Sequence, residues 1–150
     1  MIIEIYTVDS FDVESRKIYK MWKGLEVQSK KRLPLKISRL YDIRKLEDER
    51  YLHKIAKEIL VDPIVEEYVI REKDNFFEEN YKYACEIFLK DGVSDVVGES
   101  VSDIIEKMYS KKFTVRTGRC FYLTFLDDFV DFVKEEYFNE LINKINLRKL

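Results

Sequence analysis

Hydrophobic and polar residues along this chain switch between two periods, and the switches come in a regular order. Ile3 and Ile5 alternate with polar neighbours, the period-two pattern of a half-buried strand. Ile18, Trp22 and Leu25 then recur at helical spacing over Ser15 to Lys23, with Gly24 as a stop signal. Gln28 to Leu33 is polar and basic and reads as a loop, and Leu35 to Ile43 alternates again as one or two strands. Asp48 is placed to cap a helix whose Leu52, Ile55, Ala56, Ile59 and Leu60 form one stripe. That helix must stop near Val61-Asp62, because the residue before Pro63 is pushed out of the α region. Ile64 to Arg71 returns as a closing strand.

The second half repeats the order after a joint at Asp74 to Asn80. Tyr83 to Lys90 reads as a strand, Asp91-Gly92 as a turn, and Val97, Val101, Ile104, Ile105 and Met108 as an amphipathic stripe. Phe113 to Thr117 and Arg119 to Phe125 flank Gly118 as a hairpin. Val130, Val133, Tyr137, Phe138, Leu141 and Ile145 line a final helix, which leaves no room for a closing strand. The fold expected is α+β, an antiparallel sheet packed on one face by helices. Ile5, Ile18, Trp22, Ile55, Ile59, Val101, Ile105, Leu123, Val133 and Leu141 are its expected core.

Beneath the periodicity lies a repeat. Glu4-Ile5-Tyr6 is echoed by Glu86-Ile87-Phe88, and each is followed by an acidic turn, Asp9-Ser10-Phe11-Asp12 and Asp91-Gly92-Val93-Ser94-Asp95. Arg39-Leu40-Tyr41-Asp42-Ile43 has its counterpart in Arg119-Cys120-Phe121-Tyr122-Leu123. An offset near eighty residues is that of a duplicated small domain and not of a solenoid unit. Residues 1–73 and 81–150 are the two expected units, joined by 74–80 and packed as one body with a pseudo-two-fold axis.

Composition narrows the choice of partner. A chain of 150 residues with 46% hydrophobic and 14% aromatic content has enough apolar material for a sizeable core. With 27 basic and 29 acidic residues the net charge is −2, so there is no general pull toward nucleic acid or anionic membranes. No apolar run approaches the ~20 residues of a membrane helix, and the alternating start from Met1 to Tyr6 has no signal-peptide pattern, so a cytoplasmic protein is expected. Cys85 and Cys120 lack metal-ligand spacing and read as buried free thiols.

The run Leu60-Val61-Asp62-Pro63-Ile64-Val65-Glu66-Glu67-Tyr68-Val69-Ile70 after a helix resembles the ending of the small PurS subunit of phosphoribosylformylglycinamidine (FGAM) synthase. The turn Lys90-Asp91-Gly92-Val93-Ser94-Asp95, the helix with Gly98 near its start, and Val115-Arg116-Thr117-Gly118-Arg119-Cys120-Phe121-Tyr122-Leu123 are similar to the rest of that unit. The resemblance implies a tandem of two PurS-like units, as in the N-terminal domain of the large form of the synthase. It implies a structural role in purine biosynthesis: docking the synthetase and glutaminase parts, with the large synthetase subunit and the glutaminase as partners and self-association as a further expectation. The chain departs from the family in its first turn, Asp9-Ser10-Phe11-Asp12, in the basic insertion around Lys30-Lys31-Arg32, and in Ile37-Ser38-Arg39-Leu40-Tyr41, which lacks the glycine.

Candidate chemistry is sparse. His53, the one histidine, neighbours the Leu52 stripe and reads as a flanking side chain. Glu66-Glu67, Asp127-Asp128 and Glu135-Glu136 are adjacent pairs that diverge on either a strand or a helix, the pattern of solvated faces. Catalytic residues, cofactor and metal ligands are therefore all expected to be none. The Arg116-Thr117-Gly118-Arg119 stretch is the candidate anion or partner contact, with Arg116, Gly118 and Arg119 presenting guanidiniums and backbone N–H groups. A rival reading is a tandem RRM-like RNA-binding module, because Gly118 to Phe125 faintly matches the aromatic strand of that fold. An acidic pI of about 5.6 opposes it. Lys30, Lys31, Arg32, Lys36 and Arg39 are its one concentrated basic segment.

Overall fold

The computed structural model describes residues 1–26, 32–76 and 80–150. Lys30 and Lys31, and positions 77–79 of the joint, lie outside the described residues. The fold is α+β. Strands β1 (Ile2–Thr7), β2 (Leu35–Ile43), β3 (Glu66–Arg71), β4 (Tyr83–Leu89), β5 (Val115–Leu123) and β6 (Asn143–Lys149) form one antiparallel sheet in the order β3-β1-β2-β5-β4-β6. Helices α1 (Val13–Lys23), α2 (Glu49–Ile55), α3 (Val96–Tyr109) and α4 (Phe129–Glu136) connect the strands, and a π-helical turn (Ala56–Leu60) extends α2. Strand, helix, strand, helix, strand occurs once in each half. β2 and β5 meet at the centre, and β3 and β6 are the two edges.

Each half fastens its first helix to its central strand through an aspartate. Asp12 caps α1 by accepting from the Ser15 N–H at 3.0 Å and from its hydroxyl at 2.6 Å. The Ser15 oxygen in turn accepts from the Ile37 N–H at 3.0 Å. Asp95 caps α3 by accepting from the Gly98 N–H at 2.8 Å and takes the Thr117 N–H at 2.6 Å. Ile37 and Thr117 both lie just past the point where β1 and β4 cease to pair, at Arg39 and Gly118. Their N–H groups would otherwise go unpaired on a buried sheet, at a cost comparable to a lost hydrogen bond. Close approach explains Gly98, where an added Cβ would lie 2.2 Å from the Val115 carbonyl oxygen.

Two apolar clusters cover the helix side of the sheet, and each draws on both halves. Ile3, Ile5, Tyr41, Ile43, Leu52 and Ile55 pack with Val101, Ile105 and Val115. Ile18, Tyr19, Trp22, Leu35 and Ile37 pack with Cys85, Ile87, Phe121, Leu123, Phe129 and Val133. Alternation along β2 places its odd-numbered residues on this side and its even-numbered ones on the other. The helix-free side carries a smaller cluster of Ile2, Leu40, Ala84, Phe88, Cys120 and Tyr122, over which Tyr81 and Phe76 lie. Both cysteines are free and buried.

Three sequence expectations are corrected. The predicted hairpin at Gly118 is one continuous strand, paired with β2 along its whole length from Leu35↔Leu123 to Ile43↔Val115. Gly118 is there because an added Cβ would lie 2.6 Å from both the Phe88 ring and the Ile87 carbonyl oxygen. The final helix stops at Glu136. Asn139 then builds a turn, its side chain accepting from the Leu141 N–H at 3.0 Å and its carbonyl from the Asn143 N–H at 2.7 Å. The second half consequently does have a closing strand, β6, paired with β4 from Tyr83↔Lys149 to Leu89↔Asn143. Leu141 falls in the turn, 83% exposed, and leaves the core. Ile59 is only partly buried; the other expected core residues are buried.

Ile105, fully buried in the first cluster, separates these outcomes from Leu141. Truncating Ile105 to Ala should destabilise by ~2–5 kcal/mol in urea unfolding, whereas Leu141→Ala should fall within about 0.5 kcal/mol of the parent.

Candidate functional site

At the centre of the helix side the two apolar clusters part, and an open gap of about 480 Å³ lies over β2, β5 and β4. Its floor carries Arg39 and Arg119, which are direct register partners. Ile87, Leu89 and Val97 line it as apolar groups, and Tyr41, Tyr137 and Asn143 as polar ones. On the first half's side, the end of the π-helical turn and the start of β3 engage Arg39. The Arg39 guanidinium donates to both Glu66 oxygens, at 2.6 and 3.3 Å, and to the Leu60 carbonyl at 3.4 Å. Glu66 is held in turn by the Asp62 N–H at 2.9 Å. Among the described residues Arg119 has no such clasp: its side chain forms an ion pair with Glu14 at 3.7 Å, and both side chains are about half exposed, at 50% and 57%.

The candidate contact residues separate in space. Arg116 donates to the carbonyls of Val93 and Lys90 at 2.8 and 2.7 Å and so holds the Asp91-Gly92 turn against β5. Its Nε is buried without a hydrogen-bond partner among the described residues. Gly118 and Arg119 both line the gap. Lys36 lies on the opposite side of the sheet from Arg39, over the Tyr6 ring at 4.4 Å, so these two members of the basic segment form no common surface.

The helix-free side holds a group that the sequence reading did not single out. Glu4, on β1, accepts from Arg71 Nε at 2.6 Å, from the Tyr122 hydroxyl at 2.8 Å and from Ser38. Arg71 also donates to Glu86 at 3.2 Å, and Asn146 donates to the other Glu86 oxygen at 3.3 Å. All three charges are buried, Glu4 completely. Burial pulls the Arg71 guanidinium down, but the Glu4 carboxylate outweighs it and holds the pKa above its ordinary value. Burial pushes Glu86 up, and Arg71 opposes the shift only in part. Burial also lifts the Cys85 thiol to about 12, which keeps it protonated and unreactive. The signal was in the pattern: Glu4 and Glu86 are each a lone carboxylate inside an otherwise apolar strand.

The paired carboxylates act separately. Glu67 accepts from the Tyr6 hydroxyl while Glu66 holds Arg39; Asp127 takes Lys23 while Asp128 takes the Trp22 indole at 2.9 Å. His53 is exposed, with Nδ1 2.8 Å from the Tyr68 hydroxyl. Among the described residues no three His, Cys, Asp or Glu side chains are grouped to hold a metal ion, and no helix is long and apolar enough to cross a membrane. No family model, curated protein or solved structure matches the chain. Function must therefore be argued from the geometry.

Arg71→Met leaves Glu4 and Glu86 buried without their cation, so stability at neutral pH should fall by about 3–5 kcal/mol in chemical unfolding. The proton linkage of Glu86 has a definite sign. Its folded-state pKa is above the ordinary 4.5, so the folded state binds the extra proton, and that contribution is lost as pH rises from 4.5 through the folded value. Glu86→Gln should remove this loss, and unfolding free energies measured across that window will read it.

Proposed function

We propose that this chain is a non-catalytic docking element: a fused pair of PurS-like units, working in the cytoplasm in de novo purine biosynthesis, where it bridges the synthetase and glutaminase parts of FGAM synthase. The observation that carries the reading is the matched construction of the halves. The same order of elements occurs twice, and β2 and β5 meet at the sheet centre. Arg39 faces Arg119, residues that the repeat makes equivalent. The clasps of Asp12 and Asp95 serve equivalent strand positions, Ile37 and Thr117. Two units that pair through their central strands make a pseudo-dimer, and neither half completes a core cluster without the other. The side chains with the strongest electrostatic ties hold strands and turns together, which suits an assembly part.

The RNA-binding alternative meets a physical obstacle. An RRM-like surface stacks bases on exposed rings of the helix-free face. Here Tyr122 is fully buried on that face and Phe88 is 9% exposed, while Phe76 and Tyr81 pack on Tyr122 at ring separations of 6.3 and 6.1 Å.

Co-purification of the full chain with the large synthetase subunit and the glutaminase is the decisive experiment. A stable complex with either supports the docking role, and failure with both, in the presence of ATP and glutamine, overturns it. A salt-sensitive mobility shift with single-stranded RNA would instead favour the rival.

A further inference from the structure

We propose that the gap over β2, β5 and β4 binds a small anion carrying a phosphate or carboxylate group, with Arg119 as its main hydrogen-bond donor. The site is independent of the docking role. Its first support is the Arg39–Arg119 pair. Along the β2–β5 ladder, the helix-side pairs on either side of it are uncharged: Leu35–Leu123 and Ile37–Phe121 in one direction, Tyr41–Thr117 and Ile43–Val115 in the other. Two like charges directly opposite each other on neighbouring strands are destabilising. A leucine or phenylalanine at 119 would join the two apolar clusters across the gap, so packing alone does not call for a guanidinium there.

The second support is the inequality of the two arginines. Glu66 and the Leu60 carbonyl take the terminal nitrogens of Arg39, and the Glu66 carboxylate balances its charge, which leaves Arg119 as the donor. The Arg119 side chain donates no hydrogen bond among the described residues, and its ion pair with Glu14 at 3.7 Å is beyond hydrogen-bond length. Its planar fork is therefore available, and that fork matches two oxygens of a phosphate or carboxylate. The third support is the space itself. At about 480 Å³, the gap has the size of small-ligand sites. Apolar walls from Ile87, Leu89 and Val97 strengthen a charge interaction relative to open water. An anion seated there replaces the long Glu14 ion pair with direct hydrogen bonds from the Arg119 guanidinium.

The test is an NMR titration of the ¹⁵N-labelled full chain with inorganic phosphate and, separately, citrate, at ionic strength held constant with sodium chloride. Saturable shifts at the amides of Thr117–Arg119 and Ile87–Leu89, with a Kd on the order of 1 mM or below, are expected for at least one probe. A stronger response to phosphate identifies a phosphate ester as the ligand class, and a stronger response to citrate a polycarboxylate. Arg119→Gln should weaken binding by about tenfold or more, and Arg119→Lys by less. Arg148→Gln, at an exposed arginine outside the gap, should leave binding unchanged. Thermal unfolding of Arg119→Gln should show a midpoint close to that of the parent, because its ion pair with Glu14 is long and exposed. Absence of saturation with both probes, equal loss in Arg119→Gln and Arg148→Gln, or a lowered midpoint in Arg119→Gln overturns the proposal.

Discussion

The ladder between β2 and β5 is the contact on which the rest of this structure depends. It runs from Leu35↔Leu123 to Ile43↔Val115 and turns two three-stranded sheets into one of six strands. Register here has large consequences, because slipping by one residue would send every side chain of a strand to the opposite face. With this register, Leu35, Ile37, Phe121 and Leu123 sit under α1 and α4, and Tyr41, Ile43 and Val115 sit under α2 and α3. The same register puts Arg39 against Arg119 and opens the gap between the clusters. The seam thus fixes both the packing and the one part of the helix side that packing leaves unfilled.

On the reverse side, the seam is reinforced by charge. Glu4 reaches from β1 to Ser38 on β2 and to Tyr122 on β5, and Arg71 at the end of β3 connects Glu4 with Glu86 on β4. All five of these strands are held without a helix covering that side. Buried ion pairs seldom add much net stability over an apolar replacement, but breaking one is costly, because the surviving charge is left dry. Arg71 also stacks over Phe76 at 4.6 Å, so the start of the joint is tied to the face it crosses.

The halves differ where function is most plausibly read. Both lead from their central strand into a helix, but the π-helical turn and Pro63 carry the first half's chain to Glu66, which clasps Arg39. In the second half, α4 ends at Glu136 and the chain turns at Asn139, leaving Arg119 open to solvent. The Arg39 guanidinium is bound within the fold, and the Arg119 guanidinium donates no hydrogen bond among the described residues. That asymmetry distinguishes the anion site from a simple consequence of pairing two similar units.

Most of the architecture was legible in the chain. Period-two runs, Asp48 as a cap, the break before Pro63 and the stripe through Val101 and Ile105 each follow from local chemistry that any folded form must satisfy. What was misread lay where local rules leave two answers. Phe138, Leu141 and Ile145 fit a helical period, yet the free edge of β4 offers Ile145 and its neighbours a ladder, and backbone pairing wins. Gly118 looks like a turn residue, but what requires it is the Phe88 ring, from a strand thirty residues earlier. Arg116 and Arg119 look alike in sequence; one is bound to the carbonyls of Lys90 and Val93 and the other faces the gap, because they lie on opposite faces of β5. Most of the order of elements is a property of local periodicity, and to that extent the sequence by itself determined it; the last strand depends on the free edge of β4. Which charges meet, which are buried and which remain available are decided by contacts between residues far apart in the chain, and only the tertiary structure brings those together.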